Sequence, residues 1–302
     1  MASSLTCFPT PLPGESLYSI FCRYHVRSCN ALDATTIKQL FDGCRSLQTS
    51  ILSPRALKNA RNWIDTTPGF NRSSLMLEHT AYPFFRTFIP HTNTVFTSYS
   101  ADRFFLKLYL NCSTPSKRLR YCPKCAQAQW ETFGTSYWEI LPQINGYEIC
   151  PIHLEPIRET NVSHQDIIHH FFPASSVLAN SSPIEDVSHR RWIDSHWMAF
   201  LQMAQDIDYI FRLSATDFLL GVKIRRVLLY NLPPVRDRWE HALLNDPVLD
   251  KCADEELSNY IASLYQDTYK LATQIPFAPA FVQLRVCRLL FGDIKRFVSR
   301  SV

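Results

Sequence analysis

Arg120-Tyr121-Cys122-Pro123-Lys124-Cys125 and Cys150-Pro151-Ile152-His153 are the two stretches on which the reading of this fold turns. Each places a cysteine before a proline and a second soft or borderline donor three positions after that cysteine. The proline holds a tight turn, so each stretch presents two donors to a common point. Two such knuckles, separated by residues 126–149, supply three thiolates and one imidazole. That set suits a tetrahedral zinc ion with no open position, the structural kind of site. One structural Zn2+ held by Cys122, Cys125, Cys150 and His153 is therefore expected. Two other readings of the cysteines remain: a reduced pair in a core, or a thioredoxin-like redox motif. The redox motif needs a strand leading into a helix, a context that Arg120-Tyr121 and Ala126–Trp130 do not clearly supply.

Between the knuckles, Phe133, Tyr137, Trp138, Ile140, Leu141 and Ile144 are types that favour strands, so a small hairpin is expected there. On the N-terminal side, Leu17, Ile20, Phe21 and Tyr24 recur at helical spacing over Glu15–Arg27. Thr36–Phe41 reads as a second short helix, with Gly43 placed to stop it. Ser53-Pro54 opens a third, with a serine cap and a first-turn proline. Three short helices with tight connections suit a helix-turn-helix-like arrangement. Residues 71–112 read as helix broken at Pro83 and Pro90. Beyond the knuckles, residues 160–190 are polar and irregular, as in a linker. From Ser195, a candidate cap, helical patterns run to the end: one with Trp197, Phe200, Leu201, Ala204 and Phe211 on its apolar side, then Thr216–Leu232, Asp254–Thr273 and Ala280–Ser299. The fold class expected is mainly α with a small zinc-ribbon-like β insert. The domains expected are an N-terminal helical domain (1–115), a zinc ribbon (116–160), an irregular linker (161–192) and a C-terminal helical domain (193–302).

The chain has 302 residues and 10 cysteines, and residues 1–14 lack the basic start and apolar run of a secretion signal. No apolar run approaches the roughly 18 residues of a membrane span. A cytoplasmic protein with reduced thiols is expected. Cys7, Cys22, Cys29, Cys44, Cys112, Cys252 and Cys287 show no second paired spacing. His164, His169 and His170 group loosely but lack cysteine partners, and no second metal is expected there.

Residues 1–130 hold 15 Lys and Arg against 6 Asp and Glu, and residues 131–302 hold 16 against 21. A basic half joined to an acidic half fits a chain that touches nucleic acid with one end and protein with the other, although two solvated surfaces of different charge fit as well. Arg23, Arg27, Lys38, Arg55, Lys58 and Arg61, with Lys117, Arg118 and Arg120 flanking the first knuckle, are the candidates for nucleic-acid contact. Arg55, Lys58 and Arg61 lie on roughly one helix face and could track phosphates. Neither a Gly-x-x-x-x-Gly-Lys loop nor a Gly-x-Ser-x-Gly elbow is present, and the metal set is filled by side chains, so a non-enzymatic protein with no catalytic residues is expected.

Several stretches resemble one family in order. Phe8-Pro9-Thr10-Pro11-Leu12-Pro13-Gly14-Glu15-Ser16-Leu17-Tyr18-Ser19 and Arg23-Tyr24-His25-Val26-Arg27-Ser28 look like the opening of the TniQ/TnsD proteins of bacterial transposons. Glu78-His79-Thr80-Ala81-Tyr82-Pro83-Phe84-Phe85 resembles a motif these proteins carry before their zinc segment. The two knuckles, with Tyr137-Trp138 and Gly146 between them, are similar to the family's zinc core, and Leu289-Leu290-Phe291-Gly292 to the end of its helical region. The resemblance implies a transposition target-selection adaptor that recruits the AAA+ ATPase TnsC to target DNA and does no cleavage. It implies two modes: a short member that joins a CRISPR effector complex with its guide RNA, or a TnsD-type direct reader of an attachment site. Some relatives carry a second zinc motif, whereas residues 154–190 contain no cysteine. Long TnsD proteins extend well past this length, so the short adaptor type, alone or as a homodimer, is the expectation. The residues by themselves also fit a zinc-containing transcription regulator.

Overall fold

Our computed structural model describes residues 5, 7–41, 44–47, 55–58, 60, 64, 70–87, 118–216, 241–242, 245–249 and 280–300. The chain divides into two compact units, each built from two separate stretches: Met1–Tyr82 with Ser116–Asp194, and Pro83–Pro115 with Ser195–Val302. The described residues are mostly helical, with two small two-stranded sheets.

The first unit opens on α1, Leu17–Ser28. Ser16 caps it by accepting from the Ser19 amide, and Cys29 ends it in the left-handed conformation. The expected stripe is its buried face: Leu17, Ile20, Phe21 and Tyr24 are all nearly inaccessible. Burial of each such side chain contributes about 1.5–3 kcal/mol. α2, Asp33–Leu40, starts three residues before the expected Thr36 because Asp33 favours a first turn. It stops where Phe41 turns extended and bridges to Ala60; the expected stop at Gly43 lies outside the described residues. α3, Arg55–Lys58, is a single turn, and the Arg72 guanidinium donates to the Leu57 and Ala60 carbonyls at its end. Arg72 itself belongs to α4, Arg72–Glu78, which Asn71 caps. α5, Tyr82–Thr87, carries Pro83 in its first turn, where proline is tolerated, so Pro83 opens a helix rather than breaking one. Pro90 lies outside the described residues.

β1 (Arg118–Tyr121) pairs antiparallel with β4 (Arg158–Ser163), across an irregularity between Arg118 and Arg120. β2 (Ile149–Cys150) pairs with β3 (Glu155–Pro156). The hairpin expected between the knuckles is absent. Residues 123–133 form α6, closed by Gly134 at φ +69, and a 3-10 turn covers Leu141–Gln143. Strand propensity lost here because Pro123 suits a first helical turn and Gly134 a left-handed stop. The stretch 160–190 is structured as well. β4 is followed by a 3-10 turn at Asp166–Ile168, by α7 (Ala174–Asn180) and then by α8 (Val187–Ser195). Ile167 and Phe171 are buried, and the Ile168 carbonyl accepts from the Leu47 amide. The polar composition hid a segment that packs through a few apolar side chains.

In the second unit, α9 (Trp197–Thr216) buries Phe200, Leu201, Met203, Ala204, Ile207 and Ile210. Trp197 and Phe211 are only half-buried. Ser195, the expected cap, is the last residue of α8. Two helices, α10 (Ala280–Phe291) and α11 (Ile294–Arg300), stand where one was expected, divided at Gly292 with φ +72. Arg288 pairs with Asp206 and Arg285 with Asp246, all four largely buried. The helices expected at 216–232 and 254–273 lie outside the described residues apart from Thr216. Among the described residues no helix is long and apolar enough to cross a membrane.

Candidate metal centre and its surroundings

Cys122 follows β1 and occupies the N-cap of α6, Pro123 is the first helical residue, and Cys125 lies in the first turn. Cys150 ends β2, and the Leu154 amide closes the following turn on the Cys150 carbonyl at 2.8 Å, with Leu154 left-handed at φ 53. These two turns bring the four donors together, all within 4.8 Å of one another. The His153 Nδ1 lies 3.6 Å from the Cys122 Sγ, 3.3 Å from that of Cys125 and 3.6 Å from that of Cys150, and Cys125 and Cys150 are 3.7 Å apart. A tetrahedron with metal–sulfur bonds of ~2.3 Å has edges of ~3.7 Å. The four residues could therefore hold one metal ion, and among the described residues no other such cluster occurs.

The strand-to-helix context of a redox pair is in fact present at Cys122. The second knuckle, converging on the same point, is what distinguishes the arrangement from a thioredoxin-like pair.

The three thiols of the cluster shift one another. Hydrogen bonds from Cys122 and Cys125 hold the Cys150 thiol well below its usual value, which makes it the most acidic of the three. Hydrogen bonding to Cys122 and Cys150, with burial, raises Cys125. Cys122 is lowered by its bond with Cys125 but is pushed up to about 11 by Cys150 and burial. For all three to ionise together at this spacing a cation would have to be bound, and its binding would release protons. Beside them, burial and the Cys150 thiolate push the Glu139 carboxyl up to about 7, against hydrogen bonds from Gln129 and Cys125. Lys124 and Glu155 pair across the two knuckles at 2.8 Å.

The cluster is bound to the N-terminal motif. The Ser16 amide donates to the Trp138 carbonyl (2.8 Å), the Ile140 amide to that of Gly14 (3.1 Å) and the Leu17 amide to that of His79 (2.7 Å). The His79 Nδ1 meets the Glu15 carbonyl at 2.7 Å. Gly14, at φ +69, makes the turn that allows this stitching. Glu15 is fully buried and accepts from Arg23 at 2.6 Å.

The basic candidates separate by environment. Arg27 and Lys38 are exposed, on α1 and α2. Arg23 is turned inward onto Glu15 and the Thr10 carbonyl. Arg118 is half-buried and donates to the Asn161 carbonyl. Arg120 is 3% exposed and donates to Glu148 (2.9 Å) and to the Ile144 carbonyl (2.7 Å), so its charge serves the interior. Burial alone would raise Glu148, but Arg120 and His189 hold its carboxyl down at about 2. Arg55 and Lys58 have backbone positions on α3; their side chains, Arg61 and Lys117 lie outside the described residues. Sequence reading missed Glu139, Glu148 and Gln129. Only the spacing of Cys125 and Gln129, one helical turn apart, could have signalled any of them. Of the loose histidine group, His164 is largely enclosed, while His169 and His170 are exposed, with His170 paired to Asp33 at 2.9 Å.

Residues 6–155 match the TniQ family model. The chain is similar to the Escherichia coli transposon Tn7 transposition protein TnsD, at 24% identity over 156 residues, which cover 48% of this chain and 30% of that protein. The chain thus spans under a third of the length of the curated relative it matches. All four donors fall inside the matched region.

Proposed function

We propose, for a chain that is a TniQ/TnsD family protein, a role in selecting the target site of a Tn7-like transposition system. The observation that carries this reading is the coincidence of the family match with the convergent Cys122, Cys125, Cys150 and His153 cluster. Three thiolates and an imidazole at tetrahedral spacing favour zinc, bound for structure and with no position left for catalytic water. The protein then acts by contact, without cleaving DNA.

In this reading the chain is an adaptor that brings the AAA+ ATPase TnsC to target DNA, together with a CRISPR effector complex whose guide RNA reads the sequence. Arg27 and Lys38, exposed on adjacent helices in a helix-turn-helix-like arrangement, are the first candidates for phosphate contact. The similarity to TnsD supports a second reading, direct recognition of an attachment site. Binding to random-sequence duplex DNA across a salt series separates the two. An affinity near 10⁻⁴ to 10⁻⁶ M at physiological salt is the ordinary non-specific level and favours the adaptor. Tight binding with a steep salt slope favours the direct reader. Retention of TnsC on target DNA with and without this chain tests the recruitment step, and equal retention would refute it.

A further inference from the structure

We infer that metal occupancy at the Cys122–His153 cluster and the ordering of α1 are a single cooperative event, joined through the strip Ser136–Ile140. The inference rests on the reading of that cluster as a metal site. It concerns what occupancy does to a helix that carries none of the donors.

The elements around the cluster are too small to stand alone. α6 has 11 residues, short of the roughly 12–15 at which an isolated helix is even marginal in water. β2 and β3 pair through two residues each. Four donors from these pieces converge on one point, so binding there is what fixes α6 against the hairpin, and binding free energy becomes folding free energy. The strip hangs directly on α6. The Ser136 hydroxyl donates to the Ala126 carbonyl at 2.8 Å, and the Tyr137 amide to the Gln129 Oε1 at 2.9 Å.

From the strip the connection passes into α1 through hydrogen bonds that are wholly or partly buried. The Trp138 carbonyl accepts from Ser16, and its amide donates to the Ser19 Oγ at 3.1 Å. The Tyr137 hydroxyl donates to the Pro13 carbonyl at 2.9 Å. Ser16, Ser19 and Trp138 are at most 1% exposed. The Trp138 side chain closes a second path: its Nε1 donates to the Phe172 carbonyl, and the Phe172 amide donates to the Tyr18 hydroxyl of α1. Displacement of the strip would leave the α1 cap, its first turn and Tyr18 facing unmet polar groups inside a dry core. The expected consequence is that α6, the strip and α1 open together as one cooperative unit.

The test is amide hydrogen exchange on the full chain, zinc-loaded and after chelation, with metal content measured in parallel. On stripping, exchange in residues 17–28 should rise by at least about tenfold and in step with residues 123–133. Loss of protection at 123–133 with 17–28 still protected would overturn the inference while leaving the metal site standing. Failure of the purified chain to hold one ion would overturn both. A reciprocal measurement uses Ser19→Ala, a position on α1 that supplies no donor. Coupling is mutual, so this variant should bind zinc at least about fivefold more weakly in competition with a chelator. An unchanged zinc affinity would sink the inference, since damage confined to α1 would not reach the metal.

Discussion

The charge of Arg120 never reaches solvent, and that decides what its loss would do. Arg120→Ala leaves the half-buried Glu148 carboxylate with His189 as its remaining ion partner and should lower the unfolding free energy by about 2–3 kcal/mol, as read by denaturant titration. Arg27→Ala and Lys38→Ala should instead leave unfolding within about 0.5 kcal/mol of the parent. If these residues meet phosphate, each should reduce the salt slope of DNA binding by about one. All three are basic residues in a basic half, and nothing in their spacing distinguishes them. The distinction is made by Glu148, which lies 28 residues after Arg120 and comes near it only when β1 and the β2 turn are folded. The convergence of Cys122, Cys125, Cys150 and His153 was legible because each pair is local in sequence. Cys150→Ser should take the metal content of the purified protein from one ion per chain to none, measured by elemental analysis; full retention would remove the site assignment.

At the scale of elements, α1 follows its apolar stripe closely because local pattern and tertiary burial agree there. Its cap is equally local: Ser16→Ala should cost about 1 kcal/mol of stability, with a matching fall in thermal midpoint. α6 shows the opposite case. Its strand-favouring aromatics are real, but Phe133 is exposed and Tyr137 and Trp138 lie beyond the helix, so those side chains serve other ends than strand pairing. The segment 160–190 escaped the sequence reading because its order depends on distant partners, such as the Leu47 amide and the Tyr18 hydroxyl. A helix kept by contacts from remote residues carries little periodicity of its own.

At the scale of the whole molecule, two groups of the first unit weaken it as pH falls. Burial, with Arg120 nearby, lowers His164 from 6.5 to about 4. A lowered histidine opposes protonation of the folded form, so its contribution is full above 6.5 and is lost as pH falls toward 4. Glu148, lowered from 4.5 to about 2, contributes above 4.5 and loses that contribution as pH falls toward 2. Both act in the same direction in successive windows. Glu139, raised to about 7, acts the opposite way as pH falls, so the test is a comparison: between about pH 6.5 and pH 4 the thermal midpoint of the parent should fall more steeply than that of His164→Gln. Any titration of the Cys122–His153 cluster is common to both proteins, so the comparison between them isolates His164. An equal slope in the two would show that His164 does not govern the response.

The first unit is assembled from Met1–Tyr82 and Ser116–Asp194, and α1 finds its seal on Trp138 and Phe172. During synthesis, at roughly 5–20 residues per second, the ribosome therefore releases α1 on the order of ten seconds before it makes the residues that cover it. For that interval the apolar stripe of Leu17, Ile20 and Phe21 is only partly covered, with Phe41 at the end of α2 against Phe21 and the Trp138 side still open. Production of this protein is thus a race between elongation and aggregation. Slowing translation upstream of residue 138 should lower the soluble yield, whereas the same pause placed after residue 194 should not.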